Sequence, residues 1–308
     1  MKSEKRLARK KTRKRVLKKR LAYGAIVVAV IVLAFLVYSS RQKPSDKVDN
    51  FLFKAAIVDH LSKGGIVPWP NQTFINSSRD TLEASDFMVS IYNYEELDVP
   101  FYRSIPTKGF GLIIFRVHSA IVEGSTSLGL FTSELFDKNK LQPNGLYYGY
   151  IYPYKDALVN ASYSDAGPFY FGIAPDFIKY CMQGQFQNTI IILMGCDGLK
   201  FNSTAEAFVS KGAKVCIGWS GLVDASHTDK ATDYLLKRLV TRIYGVSDVV
   251  NETMHVVGPD PSYGSVLECY PPDSDYIIPA YNPLMLSAIQ MTIFLARETE
   301  RISPSCHS

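Results

Sequence analysis

The chain has 308 residues, 47% hydrophobic and 20% charged, which excludes a mainly disordered protein and is enough for one large domain or two small ones. Its 20 glycines and 16 prolines are close to ordinary usage and no segment recurs at a fixed period, so collagen-like and repeat architectures are excluded too. The net charge of +5 averages two unlike pieces: Met1 to Arg20 carries twelve Lys/Arg against Glu4, for +11, and the other 288 residues sum to −6.

Directly after this basic tail, residues 21–38 (LAYGAIVVAVIVLAFLVY) run without a charge. Eighteen helical residues at about 1.5 Å each span roughly 27 Å, close to the thickness of a bilayer core. Ser39 to Lys43 offers no small-x-small cleavage site, so the segment is expected to be an uncleaved signal-anchor. Twelve cations before it and only Arg41 and Lys43 just after predict a cytoplasmic tail at 1–20 and an extracytoplasmic body, hence a single-pass plasma-membrane protein. An acidic body adds nothing to phosphate binding, so no nucleic-acid partner is expected. Residues 39–49 read as a polar linker with Pro44, and the folded domain as 50–308.

Five Asn-x-Ser/Thr acceptors, at Asn71, Asn76, Asn160, Asn202 and Asn251, fit an exported glycoprotein. Five cysteines are too few for a disulfide scaffold, although an oxidising exterior leaves room for two bridges and one free thiol.

In the body, short runs rich in Val, Ile and aromatics recur at Lys54 to Val58, Phe87 to Tyr92, Gly111 to Val117, Thr189 to Met194 and Lys214 to Trp219. Their near-continuous apolarity predicts strands covered on both faces, as in a parallel sheet. Helices are expected over Phe74 to Ala84, Ala174 to Met182, Thr204 to Lys211 and Asp229 to Tyr244. The third should be capped by Ser203 with Glu206 and closed by Gly212. Gly124 to Gly172 and Val250 to Pro283 read as excursions from the sheet, and Pro283 to Ala296 as a core helix. The alternation predicts an α/β fold with a mostly parallel sheet between helices.

Reactive groups in such sheets gather beyond the carboxyl ends of the strands. One apolar run ends at His118 and another at Cys196, so neighbouring parallel strands would bring an imidazole and a thiol together, as a cysteine nucleophile requires. Gly195 permits a sharp turn before the thiol, the following helix is placed to favour thiolate, and the backbone N–H groups of Ser119 and Cys196 are candidate oxyanion donors. A buried structural cysteine and a hydrogen-bonded strand-end histidine remain the alternative. His60, His255 and His307 form no ligand spacing with Cys or acids, and HExxH, paired CxxC, GxxxxGK[ST] and GxGxxG are absent, so neither a metal nor a cofactor is expected.

The stretches GFGLIIFRVHSA, NTIIILMGCDGL and AEAFVSKGAKVCIGWSGLV resemble the caspase-like clan of cysteine peptidases, which includes caspases, gingipains, clostripain, legumain, separase and CHAT domains. The likeness covers roughly residues 54–244, and AAIVDHLS and VPFYRSIP are similar to archaeal and bacterial relatives of the group. It implies a caspase-like fold in which His118 is the general acid and base and Cys196 the nucleophile. Ser119 departs from the glycine usual after the histidine, and the 78 residues from His118 to Cys196 exceed the roughly 50 of caspases.

The resemblance also implies that SGLVDASHTD, after the strand that follows the cysteine, helps form the substrate pocket. Asp224 is the candidate partner for an Arg or Lys side chain, with Asp197 and Asp229 as competitors and Trp219 as a candidate wall. His227 reads as structural, near a helix cap offered by Thr228 and Asp229. The expected activity is that of a membrane-anchored endopeptidase acting on a peptide or protein through an acyl-enzyme. An inactive surface-binding module and a protein that cuts only itself are the alternatives.

Overall fold

A computed structural model describes residues 53–62, 68–154, 156–164 and 166–279, all within the second of the two units into which the chain divides, Asn50–Ser308. The basic tail, the expected span at 21–38, the linker at 39–49 and the expected helix at Pro283 to Ala296 lie outside the described residues. No helix among the described residues is long and apolar enough to cross a membrane.

All five apolar runs form strands of one sheet: β1 (Lys54–Asp59), β2 (Met88–Asn93), β3 (Leu112–Arg116), β8 (Ile190–Leu193) and β9 (Val215–Trp219). The spatial order is β2-β1-β3-β8-β9, all parallel, with β10 (Leu267–Tyr270) added antiparallel beside β9. The three central strands are almost wholly enclosed, which is why their sequences are continuously apolar rather than alternating. The protein is a mixed α/β fold with a mostly parallel sheet and helices.

Two cores lie on opposite faces of this sheet. On one, α1 (Gln72–Glu83) buries Phe74, Ile75, Ser78 and Leu82, a helical stripe, against Ile57, Ile114 and Ile192. The long helix α5 (Ala225–Leu239) and α6 (Val246–Val256) complete that layer. The other face is covered by α2 (Val99–Ser104), by α4 (Ser203–Ser210) and by a second, antiparallel sheet. Its strands are β4 (Ser119–Ile121), β5 (Leu128–Leu135), β6 (Leu158–Ala161) and β7 (Tyr170–Ile173), in the order β4-β5-β7-β6, with the short helix α3 (Tyr148–Ile151) between β5 and β6. The expected excursion at Gly124 to Gly172 is this sheet.

Several expectations are corrected. Asn202, not Ser203, is the cap residue of α4, and the Ser203 hydroxyl donates instead to the Thr126 carbonyl. Gly212 does follow that helix with φ +102°, and a side chain there would strike the Phe186 carbonyl. The helix expected at Asp229 to Tyr244 starts earlier and stops at Leu239, and α6 and β10 occupy a stretch assigned mainly to an excursion. The helix expected over Ala174 to Met182 is present, helical from Pro175 to Cys181 with Phe177–Cys181 a π-helical turn. Cys181, Cys196, Cys216 and Cys269 are free thiols, so no bridge forms among the described residues. Cys216 and Cys269 sit on adjacent strands but in the two opposite cores.

The least expected element of the fold is an ion cluster. Arg116, at the end of β3, has no solvent exposure. Its Nη1 lies 2.8 Å from Asp59 Oδ1 on β1, and its Nε and Nη2 lie 2.8 and 2.9 Å from the two carboxylate oxygens of Asp229 on α5. The Trp69 carbonyl takes a further Nη2 hydrogen bond, and the Asn71 amide that caps α1 also donates to Asp229. Removing one partner from such a cluster leaves a charge buried without compensation. Arg116→Leu is therefore expected to lower stability by about 3–5 kcal/mol in urea unfolding, and a loss under about 1 kcal/mol would show the clamp to be dispensable.

Candidate active site

Parallel pairing carries β3 and β8 forward in step, with Phe115 opposite Leu193. His118 and Cys196 each stand three residues beyond that pair, at the carboxyl edge of the sheet. Both line one cleft of about 400 Å³, whose other walls include Leu61, Trp69, Val223 and Asp224. A second cleft of about 500 Å³, between Asp59, Asn71 and Glu95, shows neither thiol nor imidazole among the described residues that line it.

Local sequence explains the close approach of the two loops. A side chain on Gly195 would collide with Ser119 Oγ and the Val117 carbonyl, so only glycine fits. The Ser119 hydroxyl donates to the Cys196 carbonyl at 2.7 Å and ties the histidine loop to the cysteine loop. Ser119 thus has a structural use that glycine would not supply.

The Cys196 thiol is half-buried and donates to the Val223 carbonyl at 3.7 Å. Burial pushes its pKa up; the Val223 carbonyl contact opposes this, and the charges of Asp197 and Asp260 reinforce it. The resting group is a neutral thiol, contrary to the expectation that the helix after it favours thiolate. Asp197 itself is buried at φ +58°, 3.4 Å from Lys200 Nζ, with Oδ1 lacking a well-aligned hydrogen bond. Its backbone N–H donates to the Gly221 carbonyl.

Of the expected pocket residues, Asp224 alone joins His118 and Cys196 in the cleft. It is the cap residue of α5, its N–H donates to the enclosed Asp260 carboxylate at 2.9 Å, and its Oδ2 accepts from Ser262 at 2.6 Å. Asp229 is withdrawn into the Arg116 cluster. Trp219 is also corrected: it is fully buried, and its indole N–H donates to Thr228. The tryptophan in the cleft is Trp69, half exposed. Thr228 and Asp229 are spent on these contacts rather than on capping, and His227, in the first turn of α5, meets the Gly258 carbonyl at 3.1 Å.

Two neighbours of His118 escaped the sequence reading. Tyr163, from the loop between β6 and β7, packs edge-on against its ring at 4.6 Å. Burial, with the nearby Cys196 charge next in weight, pushes the Tyr163 hydroxyl pKa up. His60, directly after β1, is fully enclosed and packs perpendicular to His118 at 5.8 Å between centroids. Burial and the neighbouring His118 hold its pKa down at about 4. The signal for His60 was the strand AAIVDHLS, which runs into a histidine as the His118 strand does; nothing in sequence links Tyr163 to the site.

Among the described residues no cluster of His, Cys, Asp and Glu is arranged to hold a metal ion. Of the five glycan acceptors, Asn160, Asn202 and Asn251 are exposed, whereas the Asn71 amide is used at both ends. No protein-family model matches the chain, and no curated protein matches it.

Two titrations test this description. Alkylation of Cys196 by a small neutral electrophile should rise with pH to a midpoint above the ordinary thiol range; a midpoint below neutrality would mean a resting thiolate. His60, with its ordinary value of 6.5 lowered to about 4, is protonated in the unfolded chain before it can be in the folded one. Its contribution to stability is therefore lost as pH falls from 6.5 to 4, on the order of 3 kcal/mol in all. His60→Asn should flatten that slope in denaturant titrations, and an unchanged slope would contradict the assignment.

Proposed function

We propose that the protein is a membrane-anchored, extracytoplasmic cysteine endopeptidase of caspase-like fold. The observation that carries this reading is the meeting of a thiol and an imidazole at matched positions past two paired parallel strands, in one cleft. In the reaction, His118 takes the Cys196 proton as sulfur attacks a peptide carbonyl, then returns it to the leaving amine. Water, entering as that amine departs, loses a proton to His118 and bonds to the acyl carbon; the carbon–sulfur bond breaks and His118 returns the proton to Cys196. The hydrophobic 21–38 segment and its basic flank support the anchored, outward-facing topology.

A preference for a basic side chain is part of the proposal. Arg116 lines the cleft, but Asp59 and Asp229 take up its charge, so Asp224 adds a carboxylate to surroundings that already hold an acidic excess. Trp69 and Val223 would cover the aliphatic stem of such a side chain. The raised thiol pKa favours a second reading, a silent caspase-like module that only binds peptides.

Labelling the protein with peptide electrophiles and locating the adduct separates the two. Modification of Cys196, and a loss of peptide hydrolysis of at least about a thousandfold in Cys196→Ala, are expected; an unmodified Cys196 favours the binding module. In a substrate library Asp224→Asn should cost the basic preference about tenfold or more, whereas an apolar preference in the wild type would remove that assignment. On intact cells, external protease should degrade 50–308 and spare 1–20; the reverse would overturn the topology.

A further inference from the structure

The segment between α6 and β10, residues 258–265 (GPDPSYGS), has no part in the chemistry described above, yet it is built around a buried charge. Asp260 is 1% exposed. Its carboxylate is met by three backbone N–H groups: Oδ1 accepts from Ser262 and Tyr263, both at 2.9 Å, and Oδ2 from Asp224 at 2.9 Å. The first two bonds close a local turn. The third crosses 36 residues of sequence to Asp224, which lines the cleft beside His118 and Cys196. Withdrawing a carboxylate from water has a cost that only such donors offset, so its burial here calls for a reason.

The reason lies in what these bonds hold. The peptide group between Val223 and Asp224 is fixed at both ends, its carbonyl taking the Cys196 thiol and its N–H the Asp260 carboxylate. Ser262 donates to Asp224 Oδ2 at 2.6 Å, and Ser265 donates to the Leu222 carbonyl. Tyr263, whose own N–H is held by Asp260, is half exposed and lines the same cleft as Asp224 and the half-exposed Trp69. One enclosed carboxylate therefore sets the backbone of both an acid and an aromatic residue that line a single cavity.

We propose that residues 258–265 form a wall of the substrate cleft, in which Tyr263 contacts the substrate side chain bound by Asp224 and Asp260 is the positioning residue for both. This rests on the peptidase reading above and deepens its preference for a basic side chain. The rings of Tyr263 and Trp69 cover an aliphatic stem and favour a cation near their faces, while Asp224 supplies the opposite charge. Asp260, enclosed behind them, acts only through the two residues whose backbone it holds.

Steady-state hydrolysis of paired peptides, one with Arg and one with its neutral isostere citrulline before the scissile bond, tests the proposal in the full-length protein. Asp260→Asn keeps the shape but sets an amide N–H against a backbone N–H. It should lower the Arg-over-citrulline ratio of kcat/KM about tenfold, through KM. In a protein already carrying Asp224→Asn, the same change should take nothing further from that ratio, because it acts through Asp224. Tyr263→Ala should raise KM for the Arg peptide about fivefold with kcat unchanged, and Tyr263→Phe should restore it. A merely destabilising change removes active protein, so it slows both peptides alike and leaves the ratio and KM where they were. An unchanged ratio in Asp260→Asn, an additive loss in the double variant, or an unchanged KM in Tyr263→Ala would overturn the proposal.

If Asp260→Asn does not fold, the two Tyr263 variants, at a half-exposed position, decide the matter: an unchanged KM in both overturns the wall and with it the role of Asp260. Equal hydrolysis of the two peptides by the wild type would overturn the basic preference and this proposal, while leaving catalysis by His118 and Cys196 in place. If the wild type hydrolyses neither, calorimetric binding of the same peptides reads the same ratio. A preference for Arg that Asp260→Asn removes would then defeat the peptidase reading and leave the wall established; equal binding would overturn both.

Discussion

The arrangement of the cleft depends on a guanidinium that cannot reach water. Burial works against the charge of Arg116, but the hydrogen bonds and charges of Asp229 and Asp59 outweigh it and hold the group charged. The same burial pushes the Asp59 carboxyl pKa up in spite of its partner. Each member is costly alone and tolerable only in company. The cluster therefore fixes where β1, β3 and α5 end relative to one another, and the Phe74 ring 5.7 Å from the guanidinium brings α1 into the same constraint. His60 and His118 follow Asp59 and Arg116 by one and two residues, and Asp224 opens the helix that carries Asp229. The three side chains are positioned by a contact none of them makes.

Around that charged clamp stand groups that rest neutral: the Cys196 thiol in the cleft and, against His118, the buried His60 imidazole and the Tyr163 hydroxyl, each kept from ionising mainly by burial. In a low-dielectric setting, a charge created during reaction is worth more to its neighbours than the same charge in water. Neutral partners already in position can respond to such a charge without first shedding water of their own. The cost is a thiol whose proton is held more tightly than that of an ordinary cysteine.

The interior strands were legible because enclosure on both faces leaves one composition, and strands that must be wholly apolar advertise themselves. His118 and Cys196 were legible for a related reason, since a reactive residue closing such a run has one sheet edge to occupy. What stayed hidden depends on non-local geometry. Asp229 and Asp224 lie five residues apart in the same acidic stretch, yet one is consumed by Arg116 and the other faces the cleft. Trp219 is buried instead of walling the cleft because a strand end can bury an indole that finds a hydroxyl, here Thr228, and Trp69 lines the cleft. The second sheet was illegible because its strands are mostly short, lie in a stretch whose connections are rich in Tyr, Pro and Gly, and lack a sustained period, and with it went the Tyr163 contact.

The order in which the strands are made adds a property of time to the cleft. β1, β2 and β3 join through connections of ordinary length, and so do β8, β9 and β10, but the seam between β3 and β8 closes only after the whole second sheet has been synthesised. His118 stands on one side of that seam and Cys196 on the other. Long-range pairing of this kind is slow to form relative to local pairing. Until that seam closes, His118 and Cys196 lie on opposite sides of it, so the cleft that both line takes shape only once β8 has been made and paired.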